Sequence, residues 1–241
     1  MIDGSVRSPA KALEDAMVTA RSRKFYKVSC RVRSRAGRYT LLNGDRLFPE
    51  NSWGAPAQNP SAFLRPGVPL QDFPETPVFL ADAKLDPIHW DFEVDTGYWF
   101  ISDKMKTVLQ AVDPEAFAFL QCHVRSPDGQ ECPVRWLCDV VRVLDALDEE
   151  KSEASSKWYG KPLLCVAKNG SKFYNPSTEA LFFKESVVGN CHAFRMKYSH
   201  ESVIFDEEMR QACKSAQLSG IRFRVTATAY DTQVISRHVG A

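Results

Sequence analysis

Cysteine and histidine are the side chains of this sequence with the most chemistry to offer, and they gather in two places. Cys122, His123, Cys132 and Cys138 share one stretch, and Cys191 and His192 are neighbours further on. Thiolate with imidazole suggests either a zinc site or a nucleophile with its base. A structural zinc takes four ligands in tetrahedral geometry, usually from two close pairs. Here the cysteines follow one another at spacings of ten and six residues, in segments that alternate like strands. Buried thiols in a sheet fit that pattern better, because a free cysteine behaves as a small hydrophobe. A catalytic cysteine needs its base near in space. Adjacent residues on a strand point to opposite faces, so Cys191 and His192 are not a dyad by adjacency. The acids form no evident acid–base pair, and the phosphate-loop, GxSxG, HExxH and dinucleotide patterns are missing from the sequence. The residues therefore point to no catalytic group, no metal and no cofactor.

The elements that would position these groups are clearer than the chemistry. A 22-residue stretch, Phe100 to Gln121, recurs without a gap 104 positions on, from Ile204 to Val225. Residue classes match along both copies. Two apolar residues precede a cap (Ser102, Asp206), an acid follows (Asp103, Glu207), then an apolar stripe, then an alternating strand. Met105, Val108, Leu109 and Val112 repeat at i, i+3, i+4 and i+7, one face of a helix, as do Met209, Ala212, Cys213 and Ala216. Ser102 and Asp206 can accept hydrogen bonds from first-turn N–H groups, and the early acids suit the positive end of the helix dipole. Pro114 and Gly220 stand where helices stop. Phe117 and Phe119 then face one way, as do Ile221, Phe223 and Val225, with Arg222 and Arg224 on a wet face.

Around the repeat, Ser8-Pro9 predicts the start of an amphipathic N-terminal helix over 9–21. Strands are expected over 25–33 and 38–42, and a proline-rich wrapping arm over 49–77. One or two strands are expected over 134–147, a hairpin at Asn169-Gly170, a strand over 192–198 and a short one over 232–236. Strands outnumber helices, which predicts an α+β fold with a largely antiparallel sheet, the duplicated strand-helix-strand unit spanning about 98–124 and 202–228. Residues 1–80 are read as an N-terminal helix, strands and arm, packed in one unit with 81–241.

Composition sets bounds. The chain has 241 residues, 44% hydrophobic and 25% charged, with a net charge of +1, ordinary for a globular protein. No apolar run approaches the length of a membrane span. The stretch from Met1 to Val18 has no apolar core of a secretory signal. Seven cysteines, without a CxxC pair, fit reduced thiols in the cytoplasm.

Charge is uneven along the chain. Arg21, Arg23, Lys24, Lys27, Arg31, Arg33, Arg35 and Arg38 form a basic strip. A nucleic-acid-binding role is one reading, and a solvated strand face or internal pairing with acids is the favoured one, because no nucleic-acid motif accompanies the strip. An acidic middle follows, in which Asp82, Asp86, Asp91, Glu93 and Asp95 surround Trp90, Phe92, Tyr98 and Trp99. These residues could bind a basic partner surface, the aromatics giving contact area and the charge speeding encounter. They fit equally well a polar rim over a core that holds the aromatics.

The segments GYWFISDKMKTVLQAVDPEAFAFLQCHV, VLDALDEEKS and HAFRMKYSHESVIFDEEMRQACKSAQLSGIRFRVT resemble the Imm11 family of bacterial immunity proteins. The features carrying the resemblance are the two capped helices, an L-D-x-x-x-S turn (Leu147, Asp148, Ser152) and a His-x-Phe-Arg strand (His192, Phe194, Arg195). It covers roughly residues 85–228. The resemblance implies a polymorphic-toxin setting, as with toxins delivered by type VI secretion. The expected partner is a cognate toxin domain bound one to one, with no membrane involved and a homodimer left open. On that reading, Asp82, Asp86, Asp91, Glu93, Asp95 and Trp90 are the candidate partner-binding residues. The alternatives are a nucleic-acid-binding module using residues 21–38, or an enzyme that reverses a toxin's modification.

Overall fold

The computed structural model describes residues 23–31, 39–47, 69–81, 90–94, 98–128, 132–152, 163–166, 170, 172–174 and 180–227. The expected helix over 9–21, most of the proline-rich arm and the expected strand over 232–236 lie outside the described residues. Those residues form an α+β fold with largely antiparallel sheets. One sheet has six strands in the order β2 (Tyr39–Leu41), β3 (Val78–Ala81), β6 (Phe117–Arg125), β7 (Arg135–Val140), β5 (Trp99–Ser102) and β4 (Phe92–Val94). The other has five, in the order β13 (Ile221–Val225), β1 (Phe25–Cys30), β12 (Ser199–Asp206), β11 (Ala193–Met196) and β8 (Val143–Leu144). The expected hairpin is β9 (Leu164–Val166) with β10 (Lys172–Tyr174), and Gly170 between them has φ +82°. Helices among the described residues include α1 (Gly44–Leu47), α2 (Asp103–Val112), α3 (Glu185–Val188) and α4 (Glu207–Ser215). Among the described residues no helix is long and apolar enough to cross a membrane.

The repeat is a structural repeat. β5-α2-β6 and β12-α4-β13 each make two strands joined through a helix, with a third strand threaded antiparallel between them. The inserted strand is β7 in the first unit and β1 in the second. Registers agree across the copies: Ile101 pairs with Trp136 as Phe205 pairs with Tyr26, and Phe119 with Cys138 as Phe223 with Val28. Each unit also adds an antiparallel strand, β4 at the sheet edge or β11 inside its sheet, through Phe92↔Ile101 and Ala193↔Phe205. The middle strand follows its strand-helix-strand segment in the first unit and precedes it in the second. That permuted order hides the full extent of the duplication from a linear reading.

The caps and stripes explain the helices. Ser102 Oγ accepts the Met105 N–H at 3.1 Å, and Asp206 Oδ1 accepts the Met209 N–H at 2.9 Å. Met105, Leu109, Met209 and Cys213 are all at most 1% exposed, each of the larger ones contributing about 1.5–3 kcal/mol by burial. The two helices pack on each other, and the inner faces of the two sheets close around them in one core. Phe205 meets Trp99 and Phe117 of the facing sheet at centroid distances of 5.9 and 6.1 Å. Each outer face has its own cover. β2, β3, α1 and Leu70 bury Phe100, Leu137 and Val124, while Leu147, Leu163, Tyr174, Leu181 and Val188 bury Phe25, Phe194 and Ile204.

Candidate functional site

The densest polar chemistry lies where the two units meet, in two related clasps. In the first, the edge strand of the first unit meets the helix-to-strand loop of the second. Asp91 Oδ2 accepts the Ser219 N–H at 2.8 Å and its hydroxyl at 2.7 Å, and Asp91 Oδ1 accepts the Ser102 hydroxyl at 2.7 Å. The Phe92 N–H donates to Ser219 O at 3.2 Å. Burial acts to raise the Asp91 pKa, but the Ser219 N–H, the two hydroxyls and nearby Lys104 outweigh it and hold the carboxyl below its usual value. Gly220 makes the approach possible. It has φ +83°, and a Cβ there would lie 2.4 Å from Phe92 O.

The second clasp mirrors the first with the carboxylate moved. Asp113, on the loop of the first unit, accepts the N–H groups of His192 and Ala193 through Oδ2, at 2.9 and 3.3 Å. The same oxygen takes Arg142, which also reaches Ala193 O at 3.3 Å. His192 Nδ1 lies 2.9 Å from Asp206 Oδ2, and Arg23 holds that oxygen through Nε and Nη2 at 3.1 and 2.7 Å. Arg23 further donates to Gly189 O and Cys191 O, both at 2.6 Å. Arg195, 6% exposed, crosses between sheets to Asp139 at 2.7 Å and Val140 O at 3.3 Å.

A third feature also occurs twice. Trp136 donates its indole N–H to Asp103 at 3.0 Å, and the Lys106 ammonium sits 3.6 Å from its ring centroid. Tyr26 donates its hydroxyl to Glu207, and the Arg210 guanidinium sits 4.6 Å from its ring. Both are a middle-strand aromatic, a first-turn acid and a cation three residues later. Such cation–ring contacts contribute about 0.5–1 kcal/mol where exposed and more where desolvated.

The residues put forward from the sequence as partner-facing fall as follows. Asp82, Asp86 and Asp95 lie outside the described residues. Asp91 is engaged in the first clasp. Glu93 is 2% exposed and faces Arg135, itself 3% exposed, at 3.5 Å beneath the six-stranded sheet. Trp90 is half-buried and gives its carbonyl to Arg135. Phe92, Tyr98 and Trp99 are core residues. Of the basic strip, Arg23 is bound in the second clasp. The missed clasp residues, Asp113, Arg142 and Asp139, carry no local signature, because their partners are far away in sequence, whereas Arg195 stands in the His-x-Phe-Arg strand. The acid and cation of the ring triads are an exception, since both recur at the repeat spacing of 104 positions.

Cys122 and Cys138 do not converge, although Cys132 packs beside Cys122. Cys122 lies in the core under β2 and β3, and Cys138 lies in the core between the sheets, on the opposite face. Burial pushes the Cys122 and Cys213 pKa values up to about 12 and raises that of Cys138, which suppresses the thiolate needed for metal binding or attack. Among the described residues no three His, Cys, Asp or Glu side chains are placed to hold a metal ion.

The L-D-x-x-x-S and His-x-Phe-Arg residues are fold-holding in the same way. Ser152, fully buried, accepts the Phe182 N–H at 3.0 Å, and Asp148 caps the turn below it by accepting the Lys151 N–H at 3.2 Å. Phe194 fills the core under the five-stranded sheet. No curated protein matches the chain at a significant level. A family model described as an immunity protein family, Imm11, matches residues 24–228. That span opens at β1, the strand without which the second unit has no centre, and closes just past β13. The chain belongs to the Imm11 family of immunity proteins.

Proposed function

We propose that this chain protects the cell that makes it by binding a cognate toxin domain in a one-to-one complex. It covers the toxin's active site or substrate surface, works in the cytoplasm and performs no chemistry of its own. The supporting observation is where the polar side chains of the family-like segments go. Ser152, Asp148, His192, Arg195, Asp206 and Ser102 are spent on bonds inside the fold, which cap helices and turns, tie loops and join the two units. These segments are scaffold, and a rigid scaffold is what an occluding inhibitor requires, because a preorganised surface loses little conformational entropy on binding. An interface of ordinary size, about 1,600 Å² in total, suffices for tight inhibition.

The test is a titrated toxicity assay with a cognate toxin, with both proteins quantified. An occluding inhibitor protects until toxin outnumbers it and then fails abruptly. Protection persisting at trace levels of this chain means turnover, and the enzyme reading replaces this one.

A further inference from the structure

The strongest unexplained feature is a set of arginines. Six described arginines have carboxylate partners: Arg23, Arg46, Arg135, Arg142, Arg195 and Arg210. Arg31, Arg125, Arg222 and Arg224 have none among the described residues, and three of them, Arg31, Arg222 and Arg224, share one place. Among the described residues β13 is the outermost strand of the five-stranded sheet, with β1 as its one neighbour. Ile221 and Phe223 turn inward onto the core between the sheets, so Arg222 and Arg224 point out on the opposite face. Ser29 stands opposite Arg222 and Lys27 opposite Arg224. Arg31, whose N–H donates to Gly220 O at 2.6 Å, continues the row on the same face. Lys27 is half-buried and engaged elsewhere, so the open charge is that of the three arginines.

We infer that this strip, the outer face of β1 and β13, is the surface that receives the toxin, and that it takes an acidic face of that partner. The inference rests on the binding role proposed above and adds the place and the sign of the charge. Three guanidiniums within two strands' width repel one another in the free protein, and an acidic partner relieves that repulsion on docking. Guanidiniums pair with carboxylates through two parallel hydrogen bonds, so they fix orientation as well as attract. A nucleic acid is the less suitable occupant. Sheet faces that bind single strands offer exposed aromatics on which bases stack. The outward side chains here are Ser29, Lys27 and the arginines, and Phe25 on that face is buried.

The experiment measures association with the purified toxin domain by stopped flow at low and high salt. Arg222→Glu with Arg224→Glu should slow association at least tenfold at low salt, and the difference should shrink as salt screens the charges. The glutamine pair should lie between. Arg125→Glu, at an exposed position on the other sheet, should leave the rate unchanged, and circular dichroism melts check that every variant folds. A wild-type rate for the glutamate pair overturns the strip and leaves the binding role intact. That outcome would also fit cations serving only to keep the open edge from pairing with other chains, a task glutamates perform as well. Absence of any complex with the unaltered chain overturns both proposals. If instead the unaltered chain binds a mixed-sequence RNA or a DNA duplex, and the glutamate pair abolishes that binding but not toxin association, the occupant is nucleic acid and the inference fails.

Discussion

Replacing Gly220 with alanine interrogates the first clasp through a single added carbon. Two separate costs arise. The backbone at 220 has φ +83°, a left-handed conformation that costs a residue with a Cβ about 1–2 kcal/mol. The new carbon also lands 2.4 Å from Phe92 O and 3.0 Å from Trp90 Cβ. The first of these is a backbone atom of β4, so relief requires the edge strand to withdraw from the loop. Withdrawal breaks the Phe92-to-Ser219 bond and loosens Ser219 from the Asp91 carboxylate. One neutral and one charge-assisted hydrogen bond contribute about 1 and about 2 kcal/mol. The expected total is about 4 kcal/mol. Against a usual domain stability of about 5–15 kcal/mol, the variant should still fold, with a much lower urea midpoint. Gly170→Ala is the matched control. Its φ is +82° and a Cβ there meets nothing within 4 Å, so it carries only the backbone cost of about 1–2 kcal/mol. Urea titrations followed by tryptophan fluorescence give the difference, expected near 2–3 kcal/mol. Two variants equal within about 0.5 kcal/mol, inside the error of additive comparisons, would refute the close contact between β4 and the 219–220 loop as a source of stability.

Glu93→Ala leaves the buried Arg135 guanidinium without this carboxylate, and breaking a buried pair costs about 3–5 kcal/mol. Urea denaturation should show that loss, while toxin association per folded molecule should stay at the wild-type rate; a slower rate would mean that Glu93 meets the partner directly. Asp91 gives a pH signature. Its pKa is lowered in the folded state, so its contribution is fully present above the unfolded carboxyl value of about 3.9 and disappears as pH falls through the lower folded value. Asp91→Asn should therefore be less stable than wild type at pH 7 and approach it as the pH falls below the unfolded carboxyl value, and stability curves that stay parallel through that fall would contradict the assignment.

What the sequence made legible was local. The caps at Ser102 and Asp206 and the stripes of α2 and α4 depend on residues within a few positions of one another, and they stand where the spacing put them. The alternation of β13 likewise put Arg222 and Arg224 outward. Long-range pairing was not legible. β1 belongs between two strands that begin 174 and 196 residues after its first, and nothing in its sequence names them. Glu93 shows how a local pattern can mislead. Among acids and aromatics it reads as rim, yet it lies between Phe92 and Val94 on a three-residue strand, and alternation turns it under the sheet towards Arg135. The usable signal was the arginine opening a strand that continues Trp-Leu-Cys, a position that requires an acid nearby once buried.

The two clasps also explain why a duplicated unit pairs with its copy and not with itself. Equivalent places hold complementary groups. Asp91 corresponds to His192 and Ser102 to Asp206, so the acid sits on the edge strand in one unit and on the helix cap in the other. The loops differ in the same sense, since Ser219 has Glu115 as its counterpart 104 positions earlier. Two first units facing each other would set Asp91 against Glu115, acid against acid, with no N–H and hydroxyl pair to receive it. Two second units would face His192 with Ser219 and bring no carboxylate to either loop. In the unlike pair Asp91 and Asp113 both find donors across the seam, and discrimination of this kind comes as much from the mismatches it creates as from the contacts it makes. The two repeats thus differ at the positions that join one half to the other.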